Sequence, residues 1–242
     1  MSELITLTID DRVFQAEKGK TVLEVARDNG IEIPALCYNE GVEPYGACRL
    51  CLVEVTTNNR TKLVTSCLYP IEEGLVVQTA TERVIANRKM LVELLLARCS
   101  GVEMIQDLAI KMGVEKPSFK PEYLEKHECI LCGLCVRACR EVVGTSAISL
   151  VSRGVGREVA SPFLETAGDC IGCGSCVYIC PTNCIKMEDT DGTRTIHAWN
   201  VSFPLKMCDK CGYYFAPEKQ LEYIRKKLDL PEGFFDTCPN CR

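Results

Sequence analysis

No stretch of this 242-residue chain is apolar over the roughly 18 residues that a membrane span needs. The longest aliphatic run, Leu94-Leu95-Leu96-Ala97, belongs to an amphipathic pattern instead. The opening residues, Met1-Ser2-Glu3-Leu4-Ile5-Thr6, hold neither the basic stretch nor the apolar core of a secretory signal. Lys and Arg (28) are outnumbered by Asp and Glu (33), for a net charge of −5. The basic footprint of a nucleic-acid binder is therefore missing. Gly154 and Gly156 make a G-x-G, but no G-x-G-x-x-G follows in a strand–helix–strand context, so no dinucleotide site is read here. No acid, base, nucleophile or open metal position assembles into a recognisable catalytic set. The reading that remains is a cytoplasmic chain with no membrane span, no nucleic-acid partner and no complete catalytic site of its own.

Cysteine, in contrast, is abundant: the chain carries 18. A secreted disulfide scaffold could use so many, but clustered C-x2-C pairs in a reducing compartment point to metal. The densest region is Cys129, Cys132, Cys135 and Cys139, followed by Cys170, Cys173, Cys176 and Cys180 with Pro181 next. Each half reads C-x2-C-x2-C-x3-C, the spacing that holds two [4Fe–4S] clusters, with the fourth Cys of each run serving the other cluster. One cluster would take Cys129, Cys132, Cys135 and Cys180, and the second Cys139, Cys170, Cys173 and Cys176. Ile130, Leu131, Leu134, Ile171, Val177 and Ile179 are the apolar neighbours expected to shield them from water.

Upstream, Leu4–Ile9 and Val13–Ala16 alternate as two strands around Asp10-Asp11, and Thr21 caps a helix ending at Asn29-Gly30. A hairpin of Leu52–Thr56 and Lys62–Ser66 follows. Strand–strand–helix–loop–strand is the order of a β-grasp domain. Its cysteines, Cys37, Cys48, Cys51 and Cys67, read C-x10-C-x2-C-x15-C, a variant of plant-type ferredoxin spacing that offers four thiolates to a [2Fe–2S] cluster. A zinc ion could also use four thiolates, but these do not come as two opposed C-x2-C knuckles.

Residues 79–112 are expected to be helical. Thr79-Ala80-Thr81-Glu82 resembles a capping box, and Val84, Leu91, Leu94 and Leu95 lie on one stripe. His127 and His197 read as solvent-facing or without motif, and Cys99 and Cys184 as structural residues. Residues 140–169 suggest short strands and turns, and Asp189–Thr195 a hairpin or domain boundary. In the tail, Cys208-x2-Cys211 and Cys238-x2-Cys241 flank a helix over Pro217–Leu228, with Leu221, Ile224 and Leu228 on one face. Two such knuckles signal a tetrahedral site. Zinc is the expected ion; mononuclear iron or a further Fe–S cluster are the alternatives.

Two longer blocks carry a family resemblance. Gly46-Ala47-Cys48-Arg49-Leu50-Cys51-Leu52-Val53-Glu54-Val55 resembles the N-terminal [2Fe–2S] domain of the large iron–sulfur subunit of NADH:quinone oxidoreductase (complex I). The same module occurs in the diaphorase iron–sulfur subunits of NAD-linked [NiFe] and [FeFe] hydrogenases and in NAD-dependent formate dehydrogenases. Cys129–Val142 is similar to that family's second block. One departure stands out. The family places a His and three Cys after the helix to hold a further [4Fe–4S] cluster, whereas only Cys99 remains before Gln106-Asp107-Leu108. That cluster is expected to be absent.

The resemblance, which covers about residues 1–190, together with the knuckle spacing of the tail and its expected zinc, implies an α+β chain in four parts. These are a β-grasp [2Fe–2S] ferredoxin domain (1–78), a helical linker (79–122), a double-cubane, bacterial-ferredoxin-like domain (123–194) and a four-cysteine, zinc-ribbon-like tail (195–242). It implies an electron-transfer subunit carrying one [2Fe–2S] cluster, two [4Fe–4S] clusters and one zinc. Its partners would be a flavin- and NAD(P)-binding subunit, a thioredoxin-like [2Fe–2S] subunit and a hydrogenase or formate dehydrogenase catalytic subunit, in a complex capable of electron bifurcation. The alternative is a free-standing polyferredoxin-like carrier.

Overall fold

Asp10 and Asp11 both take left-handed backbone angles (φ 45 and 64), which short polar side chains tolerate at a tight turn. They join β1 (Leu4–Ile9) to β2 (Arg12–Glu17) as an antiparallel pair. The computed structural model describes residues 3–116, 118–119 and 127–242, and divides into two units between Cys132 and Gly133. The expected junction at 122/123 lies outside the described residues.

In the first unit, Thr21 and Glu24 form a capping box at the start of α1 (Val22–Asp28). β3 (Leu52–Thr57) and β4 (Arg60–Thr65) turn through Asn58-Asn59, and β5 (Leu75–Gln78) completes a sheet of order β2-β1-β5-β3-β4. β5 runs parallel to β1 and antiparallel to β3. The sequence reading did not anticipate it, because three apolar residues after Gly74 acquire meaning only from partners far away in the chain. Val22, Leu23, Val25 and Ala26 bury one face of α1 against Leu7, Ile9, Val53, Val55, Leu75 and Val77. Each such aliphatic side chain stabilises the fold by roughly 1.5–3 kcal/mol.

The stretch expected to be one helix is two, α2 (Glu82–Arg98) and α3 (Glu103–Lys111), broken at Cys99-Ser100-Gly101. Thr81 is the N-cap of α2 and accepts from Val84 N. The third helical residue is Val84, so no Glu reaches back to complete a box. Thr79 instead gives its N–H and hydroxyl to Asp10 at 2.7 and 2.5 Å. The buried stripe is Val84, Arg88, Val92 and Leu96, and Leu94 is 46% exposed. Strict i, i+4 spacing turns the inward face toward these residues and leaves Leu91 and Leu95 at its margin.

In the second unit α4 (Leu134–Arg137) runs into a π-helical turn over Ala138–Val143. β6 (Ser149–Val151) and β7 (Glu158–Ala160) pair as a hairpin, and α5 (Ser175–Tyr178) follows. β8 (Met187–Thr190), β9 (Thr193–Ile196), β10 (Val201–Met207) and β11 (Tyr214–Pro217) form a sheet of order β11-β10-β9-β8, followed by α6 (Glu218–Lys227). Residues 194 and 195, where a domain junction was expected, both lie inside β9. Asp189–Thr195 is a hairpin turning at Asp191-Gly192. β10 buries Val201, Phe203 and Leu205 and turns Ser202 and Pro204 outward. On α6 Leu221 is buried, whereas Leu228 lies past the last helical turn and is 63% exposed rather than sharing that face. No helix among the described residues is long and apolar enough to cross a membrane.

Candidate iron–sulfur and metal centres

The first set runs from the loop after α1 to just past the end of β4. Cys37, Cys51 and Cys67 are fully buried and Cys48 partly so. Cys48 N donates to Cys37 Sγ at 3.4 Å, in a loop where Arg49 has positive φ. The thiols approach in two pairs. A hydrogen bond from Cys37, with N–H donors such as Leu50, holds Cys48 down to about 6; one from Cys67 holds Cys51 down to about 7. Cys37 and Cys67 move up in return, by those same hydrogen bonds and by burial. Each iron of a two-iron cluster takes two thiolates, so two close pairs suit that group.

The second set is gathered by local turns. Cys139 follows α4 inside the π-helical turn, and Cys170, Cys173 and Cys176 lead into α5. Between them Gly172 and Gly174 have φ of 72 and 75. These four cysteines line one small cavity, lined also by Ile148, Ile171, Ile196 and Trp199. Donors face their sulfurs: Ala147 N reaches Cys139 Sγ at 3.3 Å and Trp199 Nε1 reaches Cys176 Sγ at 3.4 Å. Burial pushes the Cys176 thiol up to about 11, against the pull of that indole N–H. An apolar chamber with four thiols and inward N–H groups fits an anionic cluster. Trp199 was not singled out from the sequence; as the only Trp in the chain it was a visible signal.

Elements further along the chain pack against the loops that carry these cysteines. Phe203 and Pro217 pack against Gly172, Lys219 Nζ donates to the Gly168 carbonyl at 2.6 Å, and Tyr223 Oη donates to the Val143 carbonyl at 2.9 Å. Arg194 pairs with Asp189 through two 2.8 Å hydrogen bonds and also reaches the Gly172 carbonyl at 3.2 Å.

Of the other expected ligands, Cys129 and Cys132 belong to the first unit and Cys135 and Cys180 to the second. Cys129 accepts from Leu131 N at 3.4 Å and its carbonyl from Arg98 Nε at 2.9 Å, while Cys132 is buried. In the second unit Cys135 joins the core, and Cys180 lies 3.5 Å from Cys184 Sγ. That neighbour and Thr182 draw Cys180 down to about 4. Cys99 is fully buried among Leu50, Val92, Leu96 and Ile105, and burial raises it to about 11. His127 is exposed.

Cys208, Cys211, Cys238 and Cys241 bring their sulfurs within 4.8 Å of one another, with Cys211 and Cys238 3.8 Å apart. A tetrahedral ion with bonds of about 2.3 Å sets its ligand sulfurs about 3.8 Å apart. A four-iron cube, binding each thiolate at a different corner, would hold them wider. The geometry therefore suits one ion. Each knuckle is a tight turn: Gly212 N donates to the Cys208 carbonyl and Cys241 N to that of Cys238. Cys238 N also donates to Cys208 Sγ at 3.2 Å and is the main cause that draws Cys208 down to about 6.

Residues 2–82 match the 2Fe-2S iron-sulfur cluster binding domain and residues 123–187 the 4Fe-4S dicluster domain. The chain is 30% identical over 257 residues to the second G-type subunit of NADH-quinone oxidoreductase from Rhizobium meliloti, covering 95% of this chain and 30% of that protein. It is 31% identical over 236 residues to the NADP-reducing hydrogenase subunit HndD of Solidesulfovibrio fructosivorans, covering 86% and 39%. With the NADPH-Fe(3+) oxidoreductase subunit alpha of Geobacter sulfurreducens it shares 31% over 205 residues, covering 74% and 24%. The chain thus spans a minority of the length of each of these curated relatives. Among solved structures, a chain of NAD+-reducing [NiFe]-hydrogenase in the H2-reduced state is similar, with a TM-score of 0.65 and 28% identity, covering 83% of this chain and 91% of that one.

Proposed function

Because this chain is a homologue of iron–sulfur subunits of NADH-quinone oxidoreductase and NADP-reducing hydrogenase, we propose that it relays electrons between a flavin- and NAD(P)-binding subunit and a catalytic subunit of hydrogenase or formate dehydrogenase type. The observation that carries this reading is the gathering of Cys139, Cys170, Cys173 and Cys176 around one small cavity. Its thiols can anchor a cluster and leave no open position for substrate.

In this reading residues 1–78 are a β-grasp domain that holds one [2Fe–2S] cluster, with Cys37 and Cys48 on one iron and Cys51 and Cys67 on the other. Residues 79–122 link it to a double-cubane domain (123–194). There Cys139, Cys170, Cys173 and Cys176 hold one [4Fe–4S] cluster, and Cys129, Cys132, Cys135 and Cys180 the other. Residues 195–242 are a zinc-ribbon-like docking tail on Cys208, Cys211, Cys238 and Cys241. The clusters supply one-electron exchange. The protein's own residues set where it happens: Trp199 and Ala147 donate to sulfur, and Ile148, Ile171 and Ile196 keep water out. A thioredoxin-like [2Fe–2S] subunit is a further partner, and the complex works in the cytoplasm.

The test is anaerobic purification with metal analysis and EPR. About ten irons per chain are expected, from one two-iron and two four-iron clusters, with reduction by NAD(P)H only when a flavoprotein co-purifies. A fully folded, iron-free chain, or turnover of a substrate by the chain alone, refutes the proposal.

A further inference from the structure

Arg88 sits in the buried stripe of α2 between Val84 and Val92 and is 8% exposed. Its guanidinium stays charged at any working pH. One Nη donates to the Leu52 carbonyl at 2.6 Å, and Nε has no hydrogen-bond partner among the described residues. A single carbonyl returns far less than the hydration such a cation gives up on burial. Apolar residues of similar volume would pack this stripe at lower cost, so the charge calls for an anion.

The available anions are few. Asp10 favours the charged form less than Cys51 does, and its carboxylate accepts two hydrogen bonds from Thr79 and none from Arg88. Burial is the largest influence on Arg88 and disfavours its charge; what opposes burial most is Cys51, the residue just before the Leu52 that Arg88 grips. Cys51 belongs to the four-thiolate set of the first unit. A two-iron cluster held there is an anion, and its negative charge grows by one on reduction. In a low-dielectric interior, a fixed cation beside it favours the more negative state.

We propose that Arg88 is a charge-compensating residue of the [2Fe–2S] site, which stabilises the reduced form and raises the reduction potential set by Cys37, Cys48, Cys51 and Cys67. The proposal rests on the cluster assignment made above. It deepens that assignment by naming a residue outside the ligand loop that decides how readily this end of the relay accepts an electron.

The experiment is an EPR-monitored redox titration of the full chain, purified anaerobically, as wild type, R88K, R88Q and R88M. R88M replaces the cation by an apolar side chain suited to the stripe, so it keeps the test decisive where R88Q folds poorly. Poised at the wild-type midpoint, the charge-free variants should show a reduced-to-oxidised ratio about tenfold lower, equal to about 59 mV for one electron. R88K should stay within about twofold, and the [4Fe–4S] signals of the same samples should not move. A purely structural role would lower thermal stability and leave the midpoint alone. An unchanged midpoint in R88M or R88Q with the signal intact overturns the proposal. So does loss of the signal in both, which would assign Arg88 to assembly. A wild-type chain with no [2Fe–2S] signal fails the underlying reading instead, and the two failures are distinguishable.

Discussion

Replacing Gly172 by Ala should damage the second unit more than any other single methyl group added to its cysteine loops. Gly172 lies between Cys170 and Cys173 with φ of 72, and a Cβ there would stand 2.6 Å from Phe203 Cδ2 and 3.0 Å from both Phe203 Cγ and Pro217 Cγ. The left-handed backbone alone costs a non-glycine residue roughly 1–2 kcal/mol. Forcing a methyl into the packed wall adds roughly 1–3 kcal/mol, for a total of about 2–5 kcal/mol. The control is Gly168→Ala in the same segment, where no atom lies within 4 Å and φ is outside the left-handed region. That change should be neutral or stabilise by about 0.4–1 kcal/mol. Thermal unfolding followed by circular dichroism and by cluster absorbance reads the difference. At about 2–4 °C per kcal/mol for a protein of this size, G172A should melt roughly 4–20 °C below wild type. A midpoint within about 2 °C of G168A would mean that the tail does not press on this loop.

Three further outcomes follow from the same geometry. Trp199→Phe removes the buried N–H donor to Cys176 and should lower the potential of one [4Fe–4S] cluster while leaving the other signals in place. A shift of roughly 20–40 mV corresponds to a two- to fivefold change in its reduced fraction, and no shift in a redox titration would show that this hydrogen bond does not tune the site. Cys211→Ser should cost one zinc per chain with the iron content unchanged; loss of about four irons by metal analysis would mean that the tail holds a cluster. Asp189→Asn breaks the pair with Arg194, whose hydrogen bonds hold the Asp189 carboxyl below its usual range. The wild-type advantage, about 0.5–1 kcal/mol for a pair this exposed, should be full at pH 7. It should shrink as acid passes through the lowered carboxyl range, below about 4. Denaturation at several pH values checks this, and a constant difference counts against the pair.

Local features were the legible ones. The bounds of β1, the Thr21 cap of α1 and the paired cysteine runs can be read because each is set by neighbours within a few residues. Elements whose reason is distant could not be read in the same way. β5 exists because β1 and β3 flank it, and β11 because β10 does. β10 is a different case: Val201, Phe203 and Leu205 alternate openly, and Pro204 obscured a strand that tolerates it. The stripe of α2 was drawn through leucines, yet the fold turns Arg88 inward and Leu94 outward, since the helix faces a carbonyl as well as a core. Leu228 was assigned to a helix face that ends one residue before it. In the candidate sites the ligand types were visible as spacing, whereas the groups that surround them, Trp199 above all, come from another part of the chain.

The support that β10, β11 and α6 give to the central cysteine loops has a consequence for biosynthesis. The unit that encloses Cys37, Cys48, Cys51 and Cys67, with the α3 residues that pack beside Cys48, has been synthesised once Cys132 is added. The loops that carry Cys139 and Cys170–Cys176 stay without Phe203, Pro217, Lys219 and Tyr223 until β10, β11 and α6 have been made. Iron can thus be delivered to the two cysteine sets at different moments, and a nascent chain stalled before β10 would lack the residues that pack against its central cysteine loops while its first unit is already made.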